Sequence, residues 1–109
     1  MTQDSDASLA GRIALVTGGG GGMGARHATM LADRGAGIIV LDRDGVAAET
    51  TVDRVTQAGG NALAVAVDAT DIPALQAGIR QAAADFGPVD ILVNNAGIGG
   101  QGLAIEDID

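Results

Sequence analysis

Thr17-Gly18-Gly19-Gly20-Gly21-Gly22-Met23-Gly24 follows the apolar run Ile13 to Val16 and precedes a helical pattern that begins at Ala25. The order reads as strand, glycine loop, helix. Glycines let a ligand phosphate approach the backbone closely, and the helix that follows offers unpaired N–H groups and the positive end of its dipole. That combination binds an anion such as pyrophosphate. A flexible glycine linker is the plain alternative. Such a linker has no reason to sit between a strand and a helix start, or to be followed 18 residues after Gly24 by an acid, Asp42, that closes a second apolar run.

Three ligand classes use loops of this kind. A phosphate loop of the GxxxxGK(S/T) type needs a lysine, and all six basic residues of this chain are arginines. A methyl-donor domain could hold S-adenosylmethionine with a glycine loop and an acid after the second strand, so it stays open. Gly19, Gly21 and Gly24 satisfy GxGxxG, but five consecutive glycines make that match almost free. The sharper spacing is Thr17-Gly18, then Gly22, then Gly24.

This TGxxxGxG spacing, with Asn94-Asn95-Ala96-Gly97 at the end of a later strand, resembles the short-chain dehydrogenase/reductase family from about Leu9 to Gly97. The resemblance implies a dinucleotide-binding fold and hydride transfer between a nicotinamide cofactor and an alcohol or ketone. Substrates compatible with it include 3-oxoacyl thioesters, steroids, sugars and small alcohols. The Asn-Asn-Ala-Gly segment argues against the methyl-donor alternative.

The 109 residues allow one domain with a single core. Apolar residues make up 47% of the chain and the one aromatic is Phe86, so the core must be built from Ala, Val, Ile and Leu, as suits a parallel sheet buried on both faces. Fourteen acids against six arginines give a formal net charge of −8, which repels nucleic acid and anionic membranes. The absence of cysteine removes disulfides, thiol nucleophiles and thiolate metal sites, and one histidine cannot build a His-rich site. Residues 1 to 10 are polar and acidic, read as a disordered lead-in without the features of a signal peptide, and no apolar run approaches the roughly 18 residues of a membrane span. The expectation is a cytoplasmic protein.

Along the chain, strands are expected at Ile13 to Val16, Ile38 to Leu41, Leu63 to Val67 and Val89 to Val93. Helices are expected from Ala25 to Arg34, after Asp44, and after Asp71 with Pro73 in the first turn. Alternation of strands and helices predicts, over residues 11 to 109, a partial three-layer Rossmann-type doubly wound α/β fold with strand order 3-2-1-4 and three helices.

In such a sheet ligands lie beyond the carboxyl ends of the strands. The candidate cofactor residues cluster there: Gly18, Gly20, Gly21, Gly22, Met23 and Gly24 in the loop, Asp42 and Arg43 after the second strand, Asp68 and Ala69 after the third, and Asn95, Ala96 and Gly97 after the fourth. Asp42 is placed to accept hydrogen bonds from the adenosine ribose, and would repel a 2′-phosphate by about 4 kcal/mol at 4 Å in an effective dielectric near 20. NAD is therefore expected over NADP, although Arg43 could accommodate a phosphate. The alternative for Asp42 is a helix cap. The resemblance assigns Asp68 to the adenine amino group and Asn95 to Gly97 to the nicotinamide-side ribose, while Asn94 and Thr17 read as structural. His27 sits one turn into the first helix and reads as structural or surface.

The family's chemistry relies on a tyrosine and, four residues further on, a lysine. This chain has neither, and Ser5 and Ser8 lie in the lead-in. No catalytic residue is assigned, and no metal site. The reading is an amino-terminal, cofactor-binding half, inactive alone, of low stability through an open fourth strand, with homo-oligomers expected only of a complete chain. A noncatalytic NAD-binding module would use the same residues.

Overall fold

The computed structural model describes residues 9–94. Its elements are β1 (Ile13–Thr17), α1 (Gly22–Asp33), β2 (Gly37–Asp42), α2 (Gly45–Gln57), β3 (Ala62–Ala66), α3 (Ile72–Phe86) and β4 (Ile91–Asn94). All pairings are parallel and the strand order is β3-β2-β1-β4, as the alternation predicts. The register aligns Thr17 with both Leu41 and Asn94, and Asp42 with Ala66, so the strands end along one edge.

Strand alternation divides the core into two layers. Ala14, Val16, Ile38 and Val40 face α1 and α2 with Ala28 and Ala48, while Leu15, Ile39 and Leu41 face α3 with Leu75, Ile79 and Ala82. Small side chains on the first face let two helices approach the sheet; larger ones fill the second. Burying each of these Leu and Ile side chains contributes roughly 1.5–3 kcal/mol. The central strands β1 and β2 are buried almost throughout, whereas β3 and β4 are half-buried. Strand β3 is a sheet edge, with Leu63 and Val65 packed on the α3 layer, Ala62 and Ala64 on the α1/α2 layer, and Ala66 exposed at its end.

Element boundaries shift by one to three residues. Helix α1 begins at Gly22 rather than Ala25, entered from an extended Gly21 through a Gly22 whose φ is +50°. Strand β3 runs one residue earlier, with Val67 bonded to the Asp42 carbonyl beyond its end. Strand β4 starts at Ile91 rather than Val89. Asp90 pins its start: the Asp90 N–H donates to the Ile13 carbonyl at 2.8 Å, and the Ile13 N–H donates to Asp90 Oδ2 at 3.0 Å. Leu9 and Ala10 lie in a turn, and Leu9 packs against the α1/α2 layer. Among the described residues no helix is long and apolar enough to cross a membrane.

Candidate cofactor site

Helices α2 and α3 each start with an aspartate that satisfies an orphan backbone donor. Asp44 accepts from the Ala47 N–H at 3.1 Å and Asp71 from the Ala74 N–H at 3.2 Å. Helix α1 has no such cap. Its N-cap is Gly21, which carries no side-chain oxygen, and the Gly22 and Met23 N–H groups find no acceptor among the described residues. The sequence thus leaves two donors and the positive end of the helix dipole open at the carboxyl edge of the sheet.

Close approach shapes the loop. A Cβ on Gly24 would stand 2.1 Å from the Gly18 carbonyl oxygen, so only glycine lets the first turn of α1 pack against the strand exit. Gly22 has φ of +50°, in the left-handed region, which favours glycine as the chain turns into α1. Gly21 meets nothing within 4 Å and borders open space.

Asp42 is half-buried at the end of β2. Its Oδ2 accepts from the Gly20 N–H at 3.0 Å and its Oδ1 from the Asp44 N–H at 3.0 Å. It does not cap α2, since Asp44 does that. The carboxylate instead ties the second strand to the glycine loop and stays at the mouth of a cavity of about 270 Å³ lined by Gly18, Leu41, Arg43, Val67, Ala69 and Thr70, with Asp42 and Asp68. Asp68 Oδ1 accepts from the Thr70 N–H at 2.9 Å and from its hydroxyl at 2.8 Å, and Oδ2 lies 3.8 Å from Arg43 Nη1. The Thr70 backbone and hydroxyl donors, with a smaller contribution from Arg43, hold the Asp68 carboxyl below the usual carboxylate range.

Of the predicted site residues, the structure brings together Gly18, Asp42, Arg43, Asp68 and Ala69 around one cavity, with Gly20 hydrogen-bonded to it. Met23, 66% exposed, stands in the first turn of α1. Asn95, Ala96 and Gly97 lie outside the described residues. Asn94 ends β4, and the Thr17 hydroxyl is 3.3 Å from the Val93 carbonyl and 3.2 Å from Asn94 Oδ1, knitting β1 to β4 as structural groups do. His27 lines a separate cleft with Met30, Leu31, Arg34 and Val93. A larger cleft of about 380 Å³ runs along β3 and under α3, but Ala, Val, Leu and Gly make up most of its wall, and only Gln81 and Asp85 bring polar side chains to it. Among the described residues no group of three or more His, Asp or Glu side chains is placed to hold a metal ion.

Sequence reasoning missed Thr51, whose hydroxyl donates to the Gly19 carbonyl at 2.8 Å inside the protein. The signal was available. Thr51 falls three residues after Ala48 and four before Val55, on the buried stripe of α2. It also missed Thr70, the donor that shapes Asp68.

The geometry is shared with known proteins. A family model described as short chain dehydrogenase matches residues 12–109. Elsinochrome reductase 1 of Elsinoe fawcettii is 41% identical over 95 residues, covering 86% of this chain and 36% of the relative. A crystal structure of hydroxysteroid dehydrogenase from Escherichia coli superposes with a TM-score of 0.80 at 42% identity, over 85% of this chain and 40% of that one. An oxidoreductase structure from Haemophilus influenza with NAD bound gives a TM-score of 0.76 at 30% identity, over 81% of this chain and 32% of that one. The chain therefore spans well under half the length of each. With the family model matched over nearly its whole length, and loop, acid and strand order all in place, this chain belongs to the short-chain dehydrogenase/reductase family.

Proposed function

We propose that this chain is the dinucleotide-binding part of an NAD-dependent oxidoreductase acting on an alcohol or ketone. The observation that carries this is the uncapped N-terminus of α1 beside a carboxylate anchored to the same glycine loop. The open Gly22 and Met23 donors suit a pyrophosphate, and the space beside Gly21 and Gly22, where a Cβ would meet nothing within 4 Å, leaves room for one. Asp42 would hold the adenosine ribose, Asp68 and Ala69 the adenine, and Asn95 to Gly97 the nicotinamide-side ribose. When bound, the nicotinamide supplies a hydride acceptor or donor.

The protein's own contribution is to bind and orient. Two acids in the cavity wall disfavour a 2′-phosphate, and the one cation there, Arg43, already faces Asp68, which supports NAD over NADP. Neither tyrosine nor lysine is present to move the substrate proton, so turnover by these 109 residues alone is not expected. That same absence favours a second reading, a noncatalytic NAD-binding module. The name of the hydroxysteroid dehydrogenase is compatible with a steroid as substrate in a complete enzyme. A cytoplasmic location, with assembly into homo-oligomers only in a complete enzyme, accords with this reading.

Titration of the purified protein with NADH, NADPH and S-adenosylmethionine tests the proposal. Saturable NADH binding, at least about tenfold tighter than NADPH, is expected. No NADH binding by a demonstrably folded sample, or preferential binding of S-adenosylmethionine, would overturn it. Incubation with NAD and assorted secondary alcohols then separates enzyme from module, since turnover excludes the module.

A further inference from the structure

The described helices contain four threonines, Thr29 in α1 and Thr50, Thr51 and Thr56 in α2. Three donate back to the carbonyl one turn earlier: Thr29 to Ala25 at 3.2 Å, Thr50 to Val46 at 3.0 Å and Thr56 to Val52 at 2.8 Å. This is the ordinary outlet for a helical hydroxyl. Thr51 departs from it. It is 1% exposed, and its hydroxyl reaches across 32 positions to the Gly19 carbonyl at 2.8 Å.

The Gly19 carbonyl and the Gly20 N–H belong to one peptide group. In a planar trans peptide these two groups point in opposite directions. Thr51 therefore holds one side of the plane while Asp42 Oδ2 holds the other, 3.0 Å from the Gly20 nitrogen. The preceding peptide is fixed as well, by the Gly19 N–H to the Leu41 carbonyl at 3.1 Å. Space is tight around both residues: a Cβ on Gly19 would lie 2.9 Å from Val40 Cγ1, and one on Gly20 would lie 2.7 Å from Ala47 Cβ.

We propose that Thr51 is a positioning residue for the cofactor site. By clamping the Gly19–Gly20 peptide it sets the orientation of the Asp42 carboxylate, and so tunes affinity for the dinucleotide ribose without touching it. The inference rests on the dinucleotide reading proposed above. Removing the hydroxyl leaves a buried carbonyl without its donor, which favours rotation of the peptide toward water and releases the Gly20 N–H from Asp42.

The test is an NADH titration of the wild type, Thr51→Val, Thr51→Ser, Asp42→Ala and the double variant Thr51→Val/Asp42→Ala, each with its thermal transition. Thr51→Val is expected to weaken NADH binding about tenfold and Thr51→Ser to stay within about twofold of the wild type. With Asp42 already replaced, Thr51→Val should cost less than about twofold, because the group it orients is gone. Equal losses in both backgrounds would make Thr51 a merely structural residue and overturn the clamp. No NADH binding by the wild type overturns the dinucleotide reading itself; binding that Asp42→Ala weakens and Thr51→Val leaves alone overturns only the clamp. Should Thr51→Val not fold, amide exchange decides: a Gly20 amide protected in the wild type and Thr51→Ser but not in Asp42→Ala supports the clamp, and rapid exchange in the wild type overturns it.

Discussion

Asp42 and Asp68 stand at the carboxyl edge of adjacent parallel strands, yet one carboxylate reaches a backbone donor 22 residues away and the other folds back on a residue two positions on. The first is half-buried and joins β2 to the glycine loop, so its orientation is part of the loop's. The second closes a local turn with Thr70 and shares its exposed side with Arg43, whose side chain is 77% exposed. Two acids of one type, placed by the same topology, thus have unequal structural reach. A carboxylate integrated by long-range bonds is fixed before any ligand arrives, while one satisfied locally is fixed only by its own turn. Pre-organisation of this kind lowers the ordering cost of binding.

The largest effect is expected where the loop supporting Asp42 is packed most tightly. Gly24→Ala places a methyl 2.1 Å from the Gly18 carbonyl oxygen and should cost at least about 3 kcal/mol of stability, read as a shift in the urea midpoint. Gly21→Ala, with open space around it and an extended φ of −150°, should stay within about 0.5 kcal/mol. Equal costs at the two glycines would remove the contrast between the packed and open sides of the loop.

Asp42→Ala comes next. It removes the acceptor of the Gly20 and Asp44 N–H groups and should cost about 1 kcal/mol of stability together with about tenfold in NADH affinity. Asp68→Ala should lower NADH affinity only about threefold and shift the unfolding midpoint less than Asp42→Ala does, because its bonds are local and exposed. A larger loss at Asp68 than at Asp42, measured by the same titration, would invert the comparison.

The smallest effect is in protonation. Asp68 titrates below its usual value of 3.8 because Thr70 donates to its ionised form. A depressed folded-state pKa contributes stability above the unfolded value, and that contribution fades as pH falls through the lower folded one. In Thr70→Ala the Asp68 pKa should rise toward its ordinary value and the acid end of the stability profile should flatten. Carboxyl-carbon NMR titration checks this, and an unmoved Asp68 curve would show that Thr70 is not the cause.

Much of the fold was legible before any coordinates. Runs of four or five residues, punctuated by glycine, Asp44 and Asp71, placed every strand and helix start to within three residues, because period and capping are local properties. The strand order followed from right-handed crossovers. Boundaries were less legible where a tertiary bond intervened. Asp90 delays β4 through its two bonds to Ile13, a partner 77 positions away that no local pattern reveals.

By itself the sequence determined the glycine loop between strand and helix, the acid that ends the second strand, the parallel order of the sheet and the absence of tyrosine and lysine. These depend on residue type and near-neighbour spacing. Only the tertiary structure decided that Asp42 braces the loop rather than capping α2, and that Thr51 turns away from its own helix toward Gly19. Each is a choice between a local and a distant hydrogen-bond partner for the same group. The packed backbone settles that choice by bringing the distant partner within 3 Å and excluding water from the alternative.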